Sequence, residues 1–410
     1  MTGRDLACTG EGEVAERLLV ACLKAAGQLS GHESAGLRDV DNWNEAARTM
    51  AVQGILPLAG VVMAAGRLPG NVPADLSKAF VRARHRSVLV HRTALDALGE
   101  IAPRFGRAGV PWAVVKGPHL QEAYYGGWFP RPYGDIDLLV RPCDVDRALG
   151  LLREAGYQPA GSRFEQILMR RVHFHLVLHP ASRGGMKIEL HWSLVDRANL
   201  YRIDDTVVLA RAVEWRGGAE RFQILSGEDT FLYLCLHSAK HGLMNSFGLG
   251  QGLPPAWFCG HRAGNRLVWY VDLDLLLRQD FDRLDWSVVR QRALEWNVMP
   301  DIVDTLRVMN LLLPDSAAAA LVERFKPDVL RPSTNGWLEK QLQSGEGAGG
   351  QDGLMRMSSR FFFRPARLLF LGRLFFPASR ELRAYYPVCR CPLFLLQLWH
   401  PFHMIRKLFG

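Results

Sequence analysis

Several things are missing from this 410-residue sequence. It has no CxxC pair. Its seven cysteines (Cys8, Cys22, Cys143, Cys235, Cys259, Cys389, Cys391) are odd in number and scattered. That excludes a zinc ribbon and a disulfide framework, and makes a reducing cytoplasm the expected compartment. No uncharged apolar run reaches the roughly 18 residues that span a bilayer. Arg4, Asp5, Glu11 and Glu13 surround only a weak apolar stretch, which does not read as a signal peptide. There is no P-loop and no internal repeat. The GLGQG run at 248–252 has no strand before it, so no dinucleotide fingerprint is expected. His237 and His241 stand at helical i and i+4, but Ser238 occupies the place of the glutamate that a zinc protease needs.

What is present is an ordinary globular composition, 48% hydrophobic and 22% charged, on a chain long enough for two or three units. The net charge of +9 is unevenly distributed. From Arg356 onward, nine arginines and one lysine face the single acid Glu381, so this segment carries the whole excess.

The apolar spacing predicts a helix over 41–66, capped by Asp41 or Asn42, and another over 74–107 ending near Gly106. Short β-rich runs follow at Val110–Val115 and Ile136–Val140, with a helix over Asp144–Ala155 stopped at Gly156. Residues 171–179 (RVHFHLVLH) and 186–192 (MKIELHW) alternate strictly around a turn, which predicts a β-hairpin. Helical periodicity returns from Ser226, where Ser226 and Asp229 resemble a capping box, and again over 267–277 and 286–313. Residues 242–265 read as a long loop. These patterns divide the chain into a helical segment (1–100), an α/β (α+β) core with a mixed sheet (101–220), a helical domain (221–342), a linker (343–357) and a basic amphipathic segment (358–410).

The chemistry concentrates in Lys116-Gly117 and in Arg131-Pro132-Tyr133-Gly134-Asp135-Ile136-Asp137-Leu138-Leu139-Val140. On a strand Asp135 and Asp137 project to one face, about 7 Å apart, where they can share divalent cations. Nucleotidyl and phosphoryl transfer need that arrangement, because metal ions neutralise the triphosphate and acidify the attacking hydroxyl. Glu189 supplies a third carboxylate on the polar face of its strand, with Lys187 and His191. The histidines 173, 175, 179 and 191 permit two readings: a zinc site, or partners that orient the carboxylate ligands, favoured for His175 and His191. His237 reads as a packing or nucleotide-contacting residue. Arg131 either touches phosphate or anchors its turn.

The order KG…RPYGDIDLLV…ELHW resembles the uncharacterised nucleotidyltransferase family of the polymerase-β-like superfamily, over roughly residues 43–280. Toxin nucleotidyltransferases of the abortive-infection type share its plan. The resemblance implies a polymerase-β-like core with flanking helical segments. It implies Asp135, Asp137 and Glu189 as catalytic ligands of Mg²⁺ (or Mn²⁺), and Lys116 and Gly117 facing the triphosphate, with Arg131 as a further nucleotide contact. Pro118 departs from the small residue usual at its position. The expected substrates are an NTP, ATP foremost, and an acceptor that the sequence does not name. The Arg- and aromatic-rich tail, residues 356–410, suits an anionic membrane surface, RNA, or packing against the body. The expected location is the cytoplasm, with a peripheral inner-membrane association as one option.

Overall fold

A computed structural model describes residues 13–23, 29, 36–126, 130–161, 166–167, 169–170, 173–182, 184–195, 201–216, 221–245, 266–314, 316–328, 376 and 392–409, with side chains of 240–245 and 403–409 left aside. The expected linker and most of the 242–265 loop lie outside these residues. Helix Gly227–Asn245 does run a turn into the segment read as loop.

The centre is a seven-stranded mixed sheet. Its strands are β1 (Trp112–Val114), β2 (Asp135–Val140), β3 (Tyr157–Pro159), β4 (His175–Pro180), β5 (Lys187–His191), β6 (Val213–Trp215) and β7 (Phe222–Ile224). Their order is β3-β4-β5-β2-β1-β7-β6. β2 runs antiparallel to β1 and parallel to β5, and β4 and β5 form the expected hairpin. β7 pairs parallel with β1, so the sheet continues past the boundary expected at 220.

Alternation along the central strands separates the two faces. Ile136, Leu138, Val140, Ile188 and Leu190 point to one side. There they pack against Ala94, Leu98, Ile101 and Phe105 of helix Ala74–Ala108 and against Ala148, Leu149 and Leu152 of helix Val145–Glu154. The last turns of the long helix therefore belong to the sheet's core, although a boundary at 100 would cut through them. Gly109, at φ 62°, ends that helix in the left-handed region. The opposite face carries Ala113 and Leu139 into a second, mostly helical core. That core is built from helices Trp43–Val52, Leu56–Ala64, Gly227–Asn245, Leu267–Asp280, Trp286–Glu295, Met299–Leu312 and Ala318–Phe325.

Two expected helices are interrupted. The one over 41–66 starts as predicted, with Asn42 accepting from the Asn44 and Glu45 amides, but it stops at Val52. Gly54 turns the chain at φ 73°, and a Cβ there would meet Val268 at 3.0 Å. The 286–313 stretch breaks at Asn297, whose φ of 58° closes one helix before the next begins. Ser226 does cap its helix through the Asp229 amide at 3.3 Å. The Asp229 carboxylate, however, is drawn away to Arg211 and Arg292.

Candidate functional site

The second face of β2 and β5 is apolar at Leu139 and acidic at its other end. The pairing Asp135↔Lys187, Asp137↔Glu189 and Leu139↔His191 puts Asp137 and Glu189 side by side on neighbouring strands. His175 lies directly opposite His191 across the hairpin, on that same face. The alternation in each strand thus brings Asp135, Asp137, Glu189, His175 and His191 into one cluster, as expected.

Lys116 enters from the turn after β1. Its Nζ lies 2.8 Å from Asp137 Oδ2 and 4.0 Å from Asp135 Oδ1. Gly117 turns at φ 72° and ψ −107°, with the Asp135 carbonyl and the Tyr133 ring in contact distance, 3.4 Å, of where a Cβ would stand. Only glycine takes that backbone without strain. Pro118 then opens the short helix Pro118–Leu120 at its first position, where a proline loses no helical hydrogen bond. Its departure from the usual residue is therefore compatible with the turn.

Burial works against every charge in this cluster, and the partners decide the balance. For Lys116, Asp137 and Asp135 outweigh burial and hold the ammonium above its ordinary value, so it stays charged. Asp137 is buried, yet Lys116 and the hydrogen bond from His191 keep its carboxyl below the usual range. Asp135 goes the other way: burial and the neighbouring Asp137 carboxylate raise it despite Lys116. His191 is raised, its bonds to Asp137 and Glu189 outweighing burial. Its Nε2 stands 3.0 Å from Asp137 Oδ1 and 3.5 Å from Glu189 Oε2. His175 Nε2 is 3.8 Å from Glu189 Oε2. Lys187, on the rim, reaches within 4.0 Å of Asp135.

Three carboxylates thus share Lys116, the rim residue Lys187 and the His191 imidazole. Asp137 Oδ2 is buried and has no hydrogen-bond donor aligned on it, although Lys116 is near. Asp137 and Glu189 side by side on paired strands, with Asp135 next to them, are an all-oxygen donor set that fits a divalent cation.

Arg131 is not in the cluster. It is buried, and its guanidinium makes two 2.7 Å bonds to Asp272 on helix Leu267–Asp280. The Tyr125 hydroxyl also donates to Asp272, and Gln121 accepts from the Arg131 amide. This geometry is that of an anchor for the turn. His173 stacks edge-on against His175 at 4.4 Å between ring centroids, while His179 is exposed. His237 is buried between Tyr233 and Trp269, a packing position. The side chain of His241 lies outside the described residues.

Other neighbours were not singled out by the sequence. Tyr233 is buried close enough to Lys116 and the three carboxylates to feel their charge. Burial raises its phenol while Lys116 opposes the shift. His91, on the long helix, meets the Tyr133 hydroxyl at 2.7 Å and Glu122 at 2.6 Å, fixing the turn before Asp135. A histidine at a helical position gives no sign of this, since its partners lie 31 and 42 residues away.

The profile of a family described as uncharacterised nucleotidyltransferases matches residues 39–314. No curated protein and no solved structure matches the chain.

Proposed function

The chain belongs to the uncharacterised nucleotidyltransferase family, and from that membership we propose a metal-dependent transfer of a nucleoside monophosphate from an NTP. The acceptor is a hydroxyl or phosphate on a small molecule, peptide or RNA end, and the leaving group is pyrophosphate. The observation that carries this reading is the convergence of Asp135, Asp137 and Glu189 from two paired strands around Lys116. A protein that only binds nucleotide has little use for three clustered carboxylates, two of them buried, which are costly unless a cation offsets them.

In this reading Asp135, Asp137 and Glu189 hold Mg²⁺ or Mn²⁺, which when bound neutralises the triphosphate and acidifies the acceptor hydroxyl. An acceptor oxygen bonds to the α-phosphorus, and the bond from that phosphorus to the bridging oxygen of the β-phosphate breaks. The acceptor's proton passes to Glu189 or to solvent. Lys116 now sits on Asp137. With nucleotide present it turns towards the β- and γ-phosphates, where a permanent positive charge stabilises departing pyrophosphate. Gly117 keeps the backbone low enough for phosphate to approach. Arg131 holds the RPYGD turn through Asp272 without touching substrate. ATP is the first nucleotide to test.

The first measurement is pyrophosphate release from each NTP with Mg²⁺ or Mn²⁺, against an acceptor mixture. Asp137→Asn should lower turnover at least about 100-fold, as removal of a dominant electrostatic group does, while the protein still folds. Turnover within tenfold of wild type, in a protein that does turn over, would exclude Asp137 from the chemistry.

A further inference from the structure

Glu189 differs from the two aspartates in its company. Asp135 faces Lys116 and Lys187, and Asp137 faces Lys116 and His191, whereas Glu189 Oε2 faces two imidazole nitrogens, His191 Nε2 at 3.5 Å and His175 Nε2 at 3.8 Å. One ligand atom from each of these three residues lies within 4.8 Å of the other two. The strands make this set: His175 pairs with His191, Glu189 stands two residues before His191 on the same face, and Glu189 and His191 are buried. The opposite side of both strands is the apolar core of Leu176, Ile188 and Leu190, so a change of register would destroy the core with the site.

We propose that His175, Glu189 and His191 form a transition-metal site for Zn²⁺, different in kind from the all-oxygen Asp135–Asp137 position, with which it shares Glu189 as a bridging carboxylate. Two imidazoles and a carboxylate suit zinc, whereas Mg²⁺ prefers oxygen ligands in an octahedron. Tetrahedral bonds of the usual length put ligand atoms about 3.4 Å apart, so the two distances to Glu189 already lie near it, and the imidazoles need only close on each other. Three protein ligands leave a fourth position open for an oxygen. His191 Nε2 is also 3.0 Å from Asp137 Oδ1, so loading exchanges that hydrogen bond for a metal bond. The proposal rests on reading this cluster as the metal-holding centre of a nucleotidyltransferase, but it concerns which ion sits beside Glu189.

The test uses the full chain, stripped of metal and without nucleotide. In a titration with Co²⁺, as a spectroscopic stand-in for Zn²⁺, the visible bands of tetrahedral cobalt should appear and saturate at one tetrahedral ion per chain. Zn²⁺ should displace it and Mg²⁺ should not. His175→Ala should weaken Zn²⁺ binding by more than the roughly 10–100-fold that loss of an outer partner costs. His175→Cys guards against a misfolded alanine variant, because a thiolate ligand adds a sulfur-to-cobalt charge-transfer band. Absent tetrahedral bands in wild type, a smaller loss in a folded His175→Ala, or no such band in a folded His175→Cys would each overturn the proposal. None of these readings involves turnover, so a protein that binds zinc here but releases no pyrophosphate refutes the proposed reaction and not this site.

Discussion

His119 illustrates how a single residue near the site is tuned by burial alone. It follows Gly117 by two positions, is almost wholly buried, and packs against Tyr124 and Trp215, with which it lines a cavity of about 230 Å³. Burial pushes its imidazole down from 6.5 to about 4. The native state therefore keeps His119 neutral, whereas the unfolded chain takes up a proton below pH 6.5. Stability from this group is complete above pH 6.5 and is lost as pH falls towards 4. At pH 5 the loss is about 2 kcal/mol by linkage. Urea unfolding of wild type and His119→Phe at pH 7.5 and pH 5 reads it directly. The wild type should lose about that much more than the variant, and equal losses would show that His119 is not held neutral. The sequence offered no such hint, because Lys116-Gly117-Pro118-His119 reads as a loop and only the packing of Trp215 from β6 closes over it. By contrast, the sharing of one face by Asp135 and Asp137, and by Glu189 and His191, was legible, since a period of two is a local property of DIDLLV and KIELH.

Elements were readable where their periodicity was long, and less so where they met. The helix over 74–107 and the hairpin were visible as patterns. The break at Gly54 had a visible cause in glycine, and the one at Asn297 in an asparagine that tolerates positive φ. The order β5-β2-β1-β7, which decides that Lys116 meets Asp137, is a long-range matter that no window of sequence contains. The same holds for Arg131 and Asp272, 141 residues apart, which tie the RPYGD turn to helix Leu267–Asp280. Both side chains are almost fully buried. Breaking such a pair from one side leaves a buried charge, at a cost of about 3–5 kcal/mol. Arg131→Met should therefore lower the urea midpoint sharply. At a temperature where the variant is folded, its affinity for nucleotide should change by less than about threefold, well under the 1.4 kcal/mol of a tenfold effect. A loss of nucleotide affinity in a protein of undiminished stability would restore the phosphate-contact reading.

On the scale of the whole molecule the basic excess and the acidic site are far apart in sequence, and the tail poses a different question from the chemistry. Most of residues 356–391 lie outside the described residues, but helix Leu393–Phe409 does not. It buries Leu396 and His400, and leaves Phe394, Leu398, Trp399 and Phe402 more than half exposed. No helix among the described residues is long and apolar enough to cross a membrane. An exposed aromatic and aliphatic face on a helix carrying Arg406 and Lys407, at the end of a segment (356–410) with a charge of +9, suits binding to an anionic bilayer. Each basic residue near such a surface contributes on the order of 1 kcal/mol. Salt shortens the reach of that attraction to about 10 Å at 0.1 M. The full chain should therefore sediment with vesicles containing phosphatidylserine at low salt and be released at high salt. Leu398→Asp with Trp399→Asp should abolish the binding while leaving Leu396 and His400 in place and pyrophosphate release unchanged. Removal of everything after Gly353 should do the same if the body folds without the tail. Vesicle binding that survives the double aspartate variant would mean that charge alone recruits the chain. Retention on RNA but not on vesicles would assign the tail to nucleic acid. An unfolded double variant would show that this face packs against the rest of the chain, and the membrane assignment would fall.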